Sequence, residues 1–221
     1  MVKVIQANLS GGEVSDAIAA RVDIDKYKTS VYKAENFFVQ VHGGLTNRPG
    51  LEYIAPAKTP STAVRLIPFE FNTTQTYILE FGNLYMRVYK DGGQVLTGSA
   101  KTITAATKAN PVVVTSNSHG FSNGDDVYIS GVVGMTELNG RFLRAASVTT
   151  NTFALTDYAG ANINSTAYTT YGSAGTAEEV FEIATPYTAA DIFELQYVQS
   201  ADVLTITHPN YAPRDLTRSG H

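Results

Sequence analysis

The chain has 221 residues and 43% hydrophobic content, which is enough to bury a core, and it contains no cysteine. The absence of cysteine excludes disulfide frameworks, thiolate metal sites and thiol nucleophiles. A formal net charge of -4 argues against a general nucleic-acid-binding protein, because contacts to phosphates require a basic surface.

The composition favours strands over helices. Tyrosine, threonine and valine are frequent, there are 18 glycines, and only 16% of the residues are charged. No apolar run approaches the length of a bilayer crossing, and the first eight residues lack the long apolar stretch of a secretory signal. We expect a mainly β protein of antiparallel sheets with two or three short helices and no membrane-spanning segment.

The first predicted helix runs from Asp23 to about Phe38, and its carboxyl end is expected to pass into a strand at residues 37–41. Four side chains recur there at helical spacing: Tyr27, Val31, Ala34 and Phe38. Asp23 or Asp25 could cap its amino end. The same two aspartates could begin a calcium loop, but the later glutamate of that pattern is missing, so capping is favoured.

Residues 42–54 follow with two groups of turn residues. Gly43-Gly44 supplies backbone conformations with positive φ, and Arg48-Pro49-Gly50 predicts a second turn because proline fixes its own φ. Arg48 could form an ion pair within the fold or at a subunit boundary, or it could be a solvated turn residue. Nothing in this segment indicates catalysis.

Three antiparallel strands are predicted next, at residues 63–71, 75–81 and 84–90. Pro68 indicates that the first of them is bulged or lies at a sheet edge. Period-two alternation directs Glu70 and Glu80 to solvent. In the third strand it places three side chains on one face: Tyr85, Arg87 and Tyr89.

The composition changes after Gly98, and residues 101–175 become rich in Thr, Ala, Ser, Asn and Gly. We expect a separate small β module with strands at 111–115, 126–130, 141–147 and 152–156. His119 precedes a glycine and is interpreted as a turn residue that hydrogen-bonds its own loop. The turn-rich groups at 119–125 and 131–140, with residues 145–155, resemble a short β-barrel repeat of phage structural proteins, named after the FCCH domain of ubiquitin-activating enzyme. Catalysis does not follow from that resemblance, because the chain has no cysteine.

Alternating strand character returns at residues 179–187. The spacing of Thr188 and Asp191 resembles a capping box and predicts a short helix through about Tyr197. A last strand is predicted at residues 202–209, where Pro209 ends it.

Four blocks outside the module, taken in order, carry a second resemblance: residues 1–98, 185–187, 199–204 and 208–216. They resemble the amino-terminal region of the tail nozzle proteins of short-tailed bacteriophages, also called tail tubular protein B, and of related phage stabilisation proteins. The resemblance implies a discontinuous β-rich platform of residues 1–100 and 176–221, with residues 101–175 inserted. Members of the family are longer, so the chain is expected to correspond to an amino-terminal fragment. Four residues of the matching blocks are candidates for specifying the fold or the assembly: Arg48, Pro49, Gly50 and Arg214.

The resemblance also implies a function. Such proteins are virion components that assemble as rings between the head and the tail and form part of the conduit for DNA ejection. The expected partners are identical subunits and portal, adaptor or other tail proteins, and DNA would pass without specific binding. The expected location is the virion tail, after assembly in the cytoplasm of the bacterial host.

An alternative from another class stays open at this point. The sequence contains no nucleophile elbow, phosphate-binding loop, zinc-protease helix or dinucleotide motif. A pair of carboxylates for glycoside hydrolysis could still come from Glu70, Glu80, Glu178, Glu179 or Asp191. The 13 tyrosines could form a platform for stacking on sugars. A glycan-binding or glycan-cleaving tail component is therefore the alternative to a structural subunit, and an isolated adhesion module is a third possibility. We assign no catalytic, cofactor-binding or metal-binding residue.

Overall fold

The computed structural model describes residues 6, 8–18, 21–72 and 75–219. The chain divides into two compact units, Met1–Tyr53 and Ile54–His221. Within the described residues, helical structure is confined to three 3₁₀ turns: Asp16–Ile18, Asp25–Thr29 and Thr136–Leu138. The mainly β, antiparallel class is confirmed, whereas the two or three short helices are not.

The amino-terminal unit contains four short strands. β1 (Gly12–Glu13) pairs in parallel with β2 (Ser30–Val31), and β3 (Phe37–Val39) pairs with the antiparallel β4 (Leu45–Asn47). A turn with Gly43 at φ +95° precedes β4, as the glycine pair predicts. Among the described residues of this unit, only Ser30 is buried. Those residues therefore form no hydrophobic core of their own.

The predicted helix from Asp23 to Phe38 is wrong. Within that range only Asp25–Thr29 is helical, and it forms a single 3₁₀ segment. The side chains of Thr29 and Ser30 both donate to the carbonyl of Lys26, at 3.1 and 2.6 Å, and so compete for the acceptor that a continuing helix would use. Further on, Asn36 has φ +62°, which no right-handed helix accommodates.

Besides the module sheet, the second unit contains two antiparallel sheets that pack against each other. The first sheet has the order β16–β7–β6–β5, with β8 also paired to β7: β5 (Arg65–Asn72), β6 (Gln75–Gly82), β7 (Tyr85–Lys90), β8 (Gly93–Gln94) and β16 (Glu182–Ala184). The second sheet has the order β17–β18–β19: β17 (Gln196–Ser200), β18 (Val203–His208) and β19 (Tyr211–Thr217). Their shared core includes Ile67, Phe69, Leu79, Phe81, Met86, Ile192, Leu195, Leu204 and Ile206.

Strand β5 is the edge strand that Pro68 predicts. The backbone N–H and C=O of Glu70 bond the side-chain amide of Gln199 on β17, at 3.1 and 2.8 Å. The even-numbered residues of β5 therefore direct their backbone groups away from β6. Pro68 is one of them. Proline has no backbone N–H, but at this position no hydrogen bond to β6 is lost, and the exposed edge has one unpaired donor fewer.

The predicted helix from Thr188 to Tyr197 is also wrong, because residues 189–194 form turns and β17 begins at Gln196. The two capping-box side chains bond each other, with Thr188 Oγ1 donating to Asp191 Oδ2 at 2.5 Å. Arg65 Nη1 donates to the carbonyls of residues 192, 193 and 195 at 2.7–3.1 Å. A distant arginine thus satisfies the carbonyls that a helix would have bonded internally.

Seven strands form the module sheet, in the order β10–β11–β14–β13–β12–β15–β9. Their bounds are β9 (Lys101–Thr102), β10 (Ala105–Ala106), β11 (Val113–Thr115), β12 (Asp126–Ser130), β13 (Arg141–Ala146), β14 (Thr152–Thr156) and β15 (Thr176–Glu179). The four strands predicted inside the module are all present. Only residues 103 and 104 separate β9 from β10, which lie at opposite ends of the order, so the sheet must curl to bring its edges together. Its core includes Ile103, Val112, Val127, Ile129, Leu143, Phe153 and Leu155.

Candidate functional site

The four residues that the sequence suggests for fold or assembly are all exposed to solvent. Arg48, Pro49 and Gly50 follow β4 without regular secondary structure, and the predicted turn is not formed there. The Arg48 N–H donates to the carbonyl of Asn36 at 2.8 Å, which fixes the backbone just after β4. Arg214 lies in β19 opposite Ile206 and its side chain is exposed. Neither arginine forms an ion pair with a described residue.

The amino-terminal unit exposes large apolar side chains at unusual density. Eight of them are 38–92% exposed: Val22, Tyr32, Phe37, Phe38, Val39, Val41, Leu51 and Tyr53. Strands β3 and β4 form a sheet of two strands among the residues that the structure describes, which we call the ribbon. All three residues of β3 are exposed, and alternation places Phe37 and Val39 on one face and Phe38 on the other. Both faces of the ribbon therefore carry unpacked apolar groups.

The same unit has a groove on its surface. It has a volume of about 440 Å³ and is lined mainly by Val14, Val22, Tyr27, Val31 and Tyr32. Gln6, Lys28 and Ser30 also line it, and Gln6 Nε2 donates to the Ser30 carbonyl at 2.6 Å. The ribbon's side chains do not line this groove, so ribbon and groove are two separate apolar surfaces of one unit.

The second unit holds a buried cluster of charges where the first sheet meets the module. Arg87 on β7 lies between Glu80 on β6 and Glu182 on β16 in the strand register. Arg87 Nε donates to Glu182 Oε2 at 3.0 Å, and the Arg87 guanidinium also pairs with Asp126 of β12. The face that alternation predicts for Arg87 is thus the face that the module covers.

Two further cations complete this cluster. Arg144 Nε donates to Asp126 Oδ1 at 2.9 Å, and Arg144 Nη2 donates to the Lys58 carbonyl at 2.8 Å. The Lys58 ammonium pairs with Glu182. We call the set Lys58, Glu80, Arg87, Asp126, Arg144 and Glu182 the seam cluster. Its three cations and three carboxylates balance in charge, which is the condition under which buried ions are tolerated.

The prediction that Glu80 faces solvent is wrong, although Glu70 is exposed as predicted. Glu80 is 4% exposed and accepts hydrogen bonds from the hydroxyls of Tyr85 and Tyr89, at 2.8 and 2.6 Å. Burial and the neighbouring carboxylate raise the pKa of both tyrosines. Burial opposes the charge on Arg87, but pairing with Asp126 outweighs it and raises the pKa of Arg87. The charges of the cluster are held by these pairs, although Arg87 Nη1 is buried with no hydrogen-bond partner among the described residues.

Of the other carboxylates considered for glycan cleavage, Glu178 and Asp191 accept hydrogen bonds from neighbouring residues. Glu178 Oε1 accepts the N–H of Gly98 at 2.6 Å. Asp191 Oδ2 accepts the hydroxyl of Tyr211 at 2.6 Å, besides that of Thr188. The pKa of Glu179 is raised, first by burial and then by the carboxylates of Asp125 and Glu182. Of the five, Glu179 therefore has the environment closest to that of a general acid.

His119 has the role predicted for it. Its Nδ1 accepts the N–H of Phe121 at 3.0 Å, and its ring packs against those of Phe121 and Phe153. In the part of the chain that the structure describes, no three His, Asp or Glu side chains converge so that they could hold a metal ion. Within the same residues, no helix is long and apolar enough to span a bilayer.

Residues 109–180 match the family model of the ubiquitin-activating enzyme E1 FCCH domain. The match covers less than half of the chain and falls on the module strands β11 to β15. It supports the predicted small β module, and the segment is similar to that domain in sequence. No curated protein sequence matches the chain.

Proposed function

We propose that this chain is a structural subunit of a phage or prophage virion, in the tail nozzle or head-to-tail junction. Its copies would form a ring that is part of the DNA ejection conduit, in contact with portal, adaptor or other tail proteins. The observation that carries the proposal is the apolar surface of the amino-terminal unit, whose described residues bury only Ser30. The ordered sequence blocks that resemble tail nozzle proteins supply the virion context.

The amount of exposed aromatic surface supports a permanent partner. Tyr32, Phe37, Phe38 and Tyr53 are 46–76% exposed. With 150–250 Å² for each aromatic side chain, they expose on the order of 500 Å² together. That is more than half of the roughly 800 Å² that each partner contributes to a standard interface. A two-stranded ribbon is also marginal by itself and needs packing on its faces.

The seam cluster supports a rigid building block. Arg87 and Asp126 join two sheets of the second unit through a buried pair whose geometry is fixed at both ends. Such pairs specify one arrangement in some proteins more than they add stability. A subunit that must repeat identically around a ring benefits from a module held in one orientation.

The net charge fits passage of DNA without retention. At -4 the chain offers no excess of cations to neutralise phosphates, and each such contact would add salt-dependent affinity. The proposal includes no cofactor, metal or catalytic residue.

The glycan-cleaving alternative rests on one observation, the raised pKa of Glu179 beside other carboxylates. It predicts that the chain depolymerises capsular or lipopolysaccharide glycans and that Glu179→Gln abolishes this. Under the structural proposal, neither the chain nor Glu179→Gln depolymerises these glycans.

Electron microscopy of the purified chain at increasing concentration tests the structural proposal. We expect closed particles with one dominant rotational symmetry. A chain that stays monomeric at high concentration and depolymerises host glycans would overturn the proposal in favour of the alternative.

A further inference from the structure

We infer that the last residues of the amino-terminal unit are a cleavage site for endopeptidases, at the peptide bonds that follow Leu51, Glu52 and Tyr53. This inference concerns covalent processing of the chain and is independent of the proposed function. Hydrolysis adds one water across one of these bonds and leaves a new carboxylate and a new ammonium. The co-reactant is a protease, and its class depends on the side chain before the bond: large and apolar for Leu51 and Tyr53, acidic for Glu52.

The backbone of residues 49–57 is free of hydrogen bonds to other described residues. From Pro49 to Ala57, no N–H and no carbonyl group has such a partner. In a long loop of the module, by contrast, N–H groups are bonded every few residues, at Asp157, Gly160 and Ile163. An endopeptidase binds its substrate as an extended strand through the main chain of that substrate. The segment therefore offers the free backbone that cleavage requires.

The side chains that a protease would recognise are also accessible. Leu51 is 86% exposed and Tyr53 is 76% exposed, and Glu52 is exposed between them. Residues 48–57 have no regular secondary structure. Exposed segments with unbonded backbone are the preferred sites of proteolytic cleavage in folded proteins.

Contacts define both ends of the free segment. Arg48 is the last residue before it with a bonded N–H. After it, the Lys58 carbonyl accepts Arg144 Nη2 at 2.8 Å, and the Lys58 ammonium pairs with Glu182. Trypsin cuts after arginine and lysine, but Pro49 blocks the bond after Arg48, and Lys58 is held at both its backbone and its side chain. The segment should therefore resist trypsin while it is open to other proteases.

Cleavage at this site should leave a folded product. Both hydrophobic cores consist of residues between Ile67 and Leu216. The amino-terminal unit contributes no described residue to either core, and among its described residues only Ser30 is buried. The carboxyl-terminal product therefore keeps its packing and should be cut further only when it opens.

Limited digestion of the full chain, with the products identified by mass spectrometry, tests the site. We expect the first cut by chymotrypsin to follow Leu51 or Tyr53, and the first cut by glutamyl endopeptidase to follow Glu52. Each digestion should leave a carboxyl-terminal fragment that persists. Trypsin should produce no new end between Arg48 and Lys58.

Phe193 is an internal control for exposure without free backbone. Its side chain is 58% exposed, but its carbonyl accepts Arg65 Nη1 at 3.1 Å. Chymotrypsin should therefore not cut after Phe193 while the persistent fragment stays folded.

The variant Leu51→Ser/Tyr53→Ser separates backbone accessibility from side-chain recognition. Both side chains are exposed, so the variant is expected to fold, which circular dichroism would verify. It should lose the first chymotrypsin cut and retain the glutamyl endopeptidase cut after Glu52. Phe193→Ser is the matched control and should leave both digestions unchanged.

Two results would overturn the site: a first cut elsewhere by either protease, or loss of the Glu52 cut in the Leu51→Ser/Tyr53→Ser variant. Neither result affects the proposed function, which is tested by assembly. A chain that is cut after Leu51, Glu52 or Tyr53 but stays monomeric at every concentration would support the site and overturn the proposed function.

Discussion

Arg87 and Asp126 form a buried ion pair that joins strand β7 of the first sheet to strand β12 of the module, with side chains 1% and 2% exposed. Glu182 and Arg144 extend the pair on either side, so each buried charge has two opposite charges next to it. The buried pair therefore connects the module to the first sheet.

Removing one member of this pair should destabilise the chain strongly. Asp126→Asn leaves Arg87 buried without its closest counter-charge, and we expect a loss of about 3–5 kcal/mol in the free energy of unfolding. Arg87→Met should cost a similar amount. The double variant Arg87→Met/Asp126→Asn should lose less than the sum of the two, because it leaves neither charge of the pair without its partner. Urea unfolding measures all three.

The control for that series is an exposed pair. Arg21 and Asp23 lie 2.6 Å apart with more than half of each side chain exposed. Asp23→Asn should leave the urea midpoint unchanged, because solvent screens such pairs. Additive losses at Arg87 and Asp126 would mean that the two side chains do not interact.

The hydroxyls of Tyr85 and Tyr89 should contribute measurably to stability. Both donate to the buried carboxylate of Glu80. Tyr85→Phe and Tyr89→Phe each remove a hydrogen bond to a charged acceptor, which is worth about 1.5–3 kcal/mol. Tyr32→Phe, on an exposed ring, should have no effect on unfolding. Equal stability of all three variants would contradict the role assigned to Glu80.

Stability should fall at alkaline pH. The pKa of Tyr85 and of Tyr89 is raised above the ordinary 10.0, mainly by burial. The unfolded chain therefore loses these protons first, so their contribution is complete below pH 10 and is lost as the pH rises through the folded-state pKa. Urea unfolding between pH 8 and pH 11 should show the onset of this loss above pH 10, and Tyr85→Phe/Tyr89→Phe should flatten the curve. A steeper curve for the double variant would contradict the assignment.

Alanine substitutions at two glycines of the module distinguish the cost of steric crowding from the cost of backbone strain. Gly134 has φ +92°, and a Cβ there would lie 2.3 Å from the carbonyl oxygen of Thr170. Gly134→Ala should cost about 2–5 kcal/mol, from left-handed strain and overpacking together. Gly140 has φ +74° with open space around it, so Gly140→Ala should cost only the strain, about 1–2 kcal/mol. Similar costs at both positions would show that the close approach at Gly134 is not present.

Local patterns in the sequence predicted the strands well, and long-range contacts explain the errors. Alternation in β7 correctly placed Arg87 with two tyrosines, but it could not show that Asp126, 39 residues away, would cover that face. Glu80 was assigned to solvent for the same reason, since period-two spacing identifies a face and not what packs on it. The predicted helix near Asp191 failed because Arg65 satisfies its carbonyls from another strand.

The candidate site was the least predictable part. Arg48 and Arg214 were selected by resemblance, yet the exposed surface that carries the proposal is made by Phe37, Phe38 and Tyr32. Of the three, Phe38 fits the apolar stripe of the predicted helix, which implies a buried position. The absence of that helix leaves its ring on the surface.

The most direct test of the proposed assembly is the molar mass of the chain by light scattering across a hundredfold range of concentration, beside the variant Phe37→Ser/Phe38→Ser. We expect the mass of the chain to rise well above the 23.8 kDa of one copy and that of the variant to stay there. A chain that remains at the mass of one copy throughout, or a variant that assembles as the chain does, would contradict the assignment of the amino-terminal unit as the assembly surface.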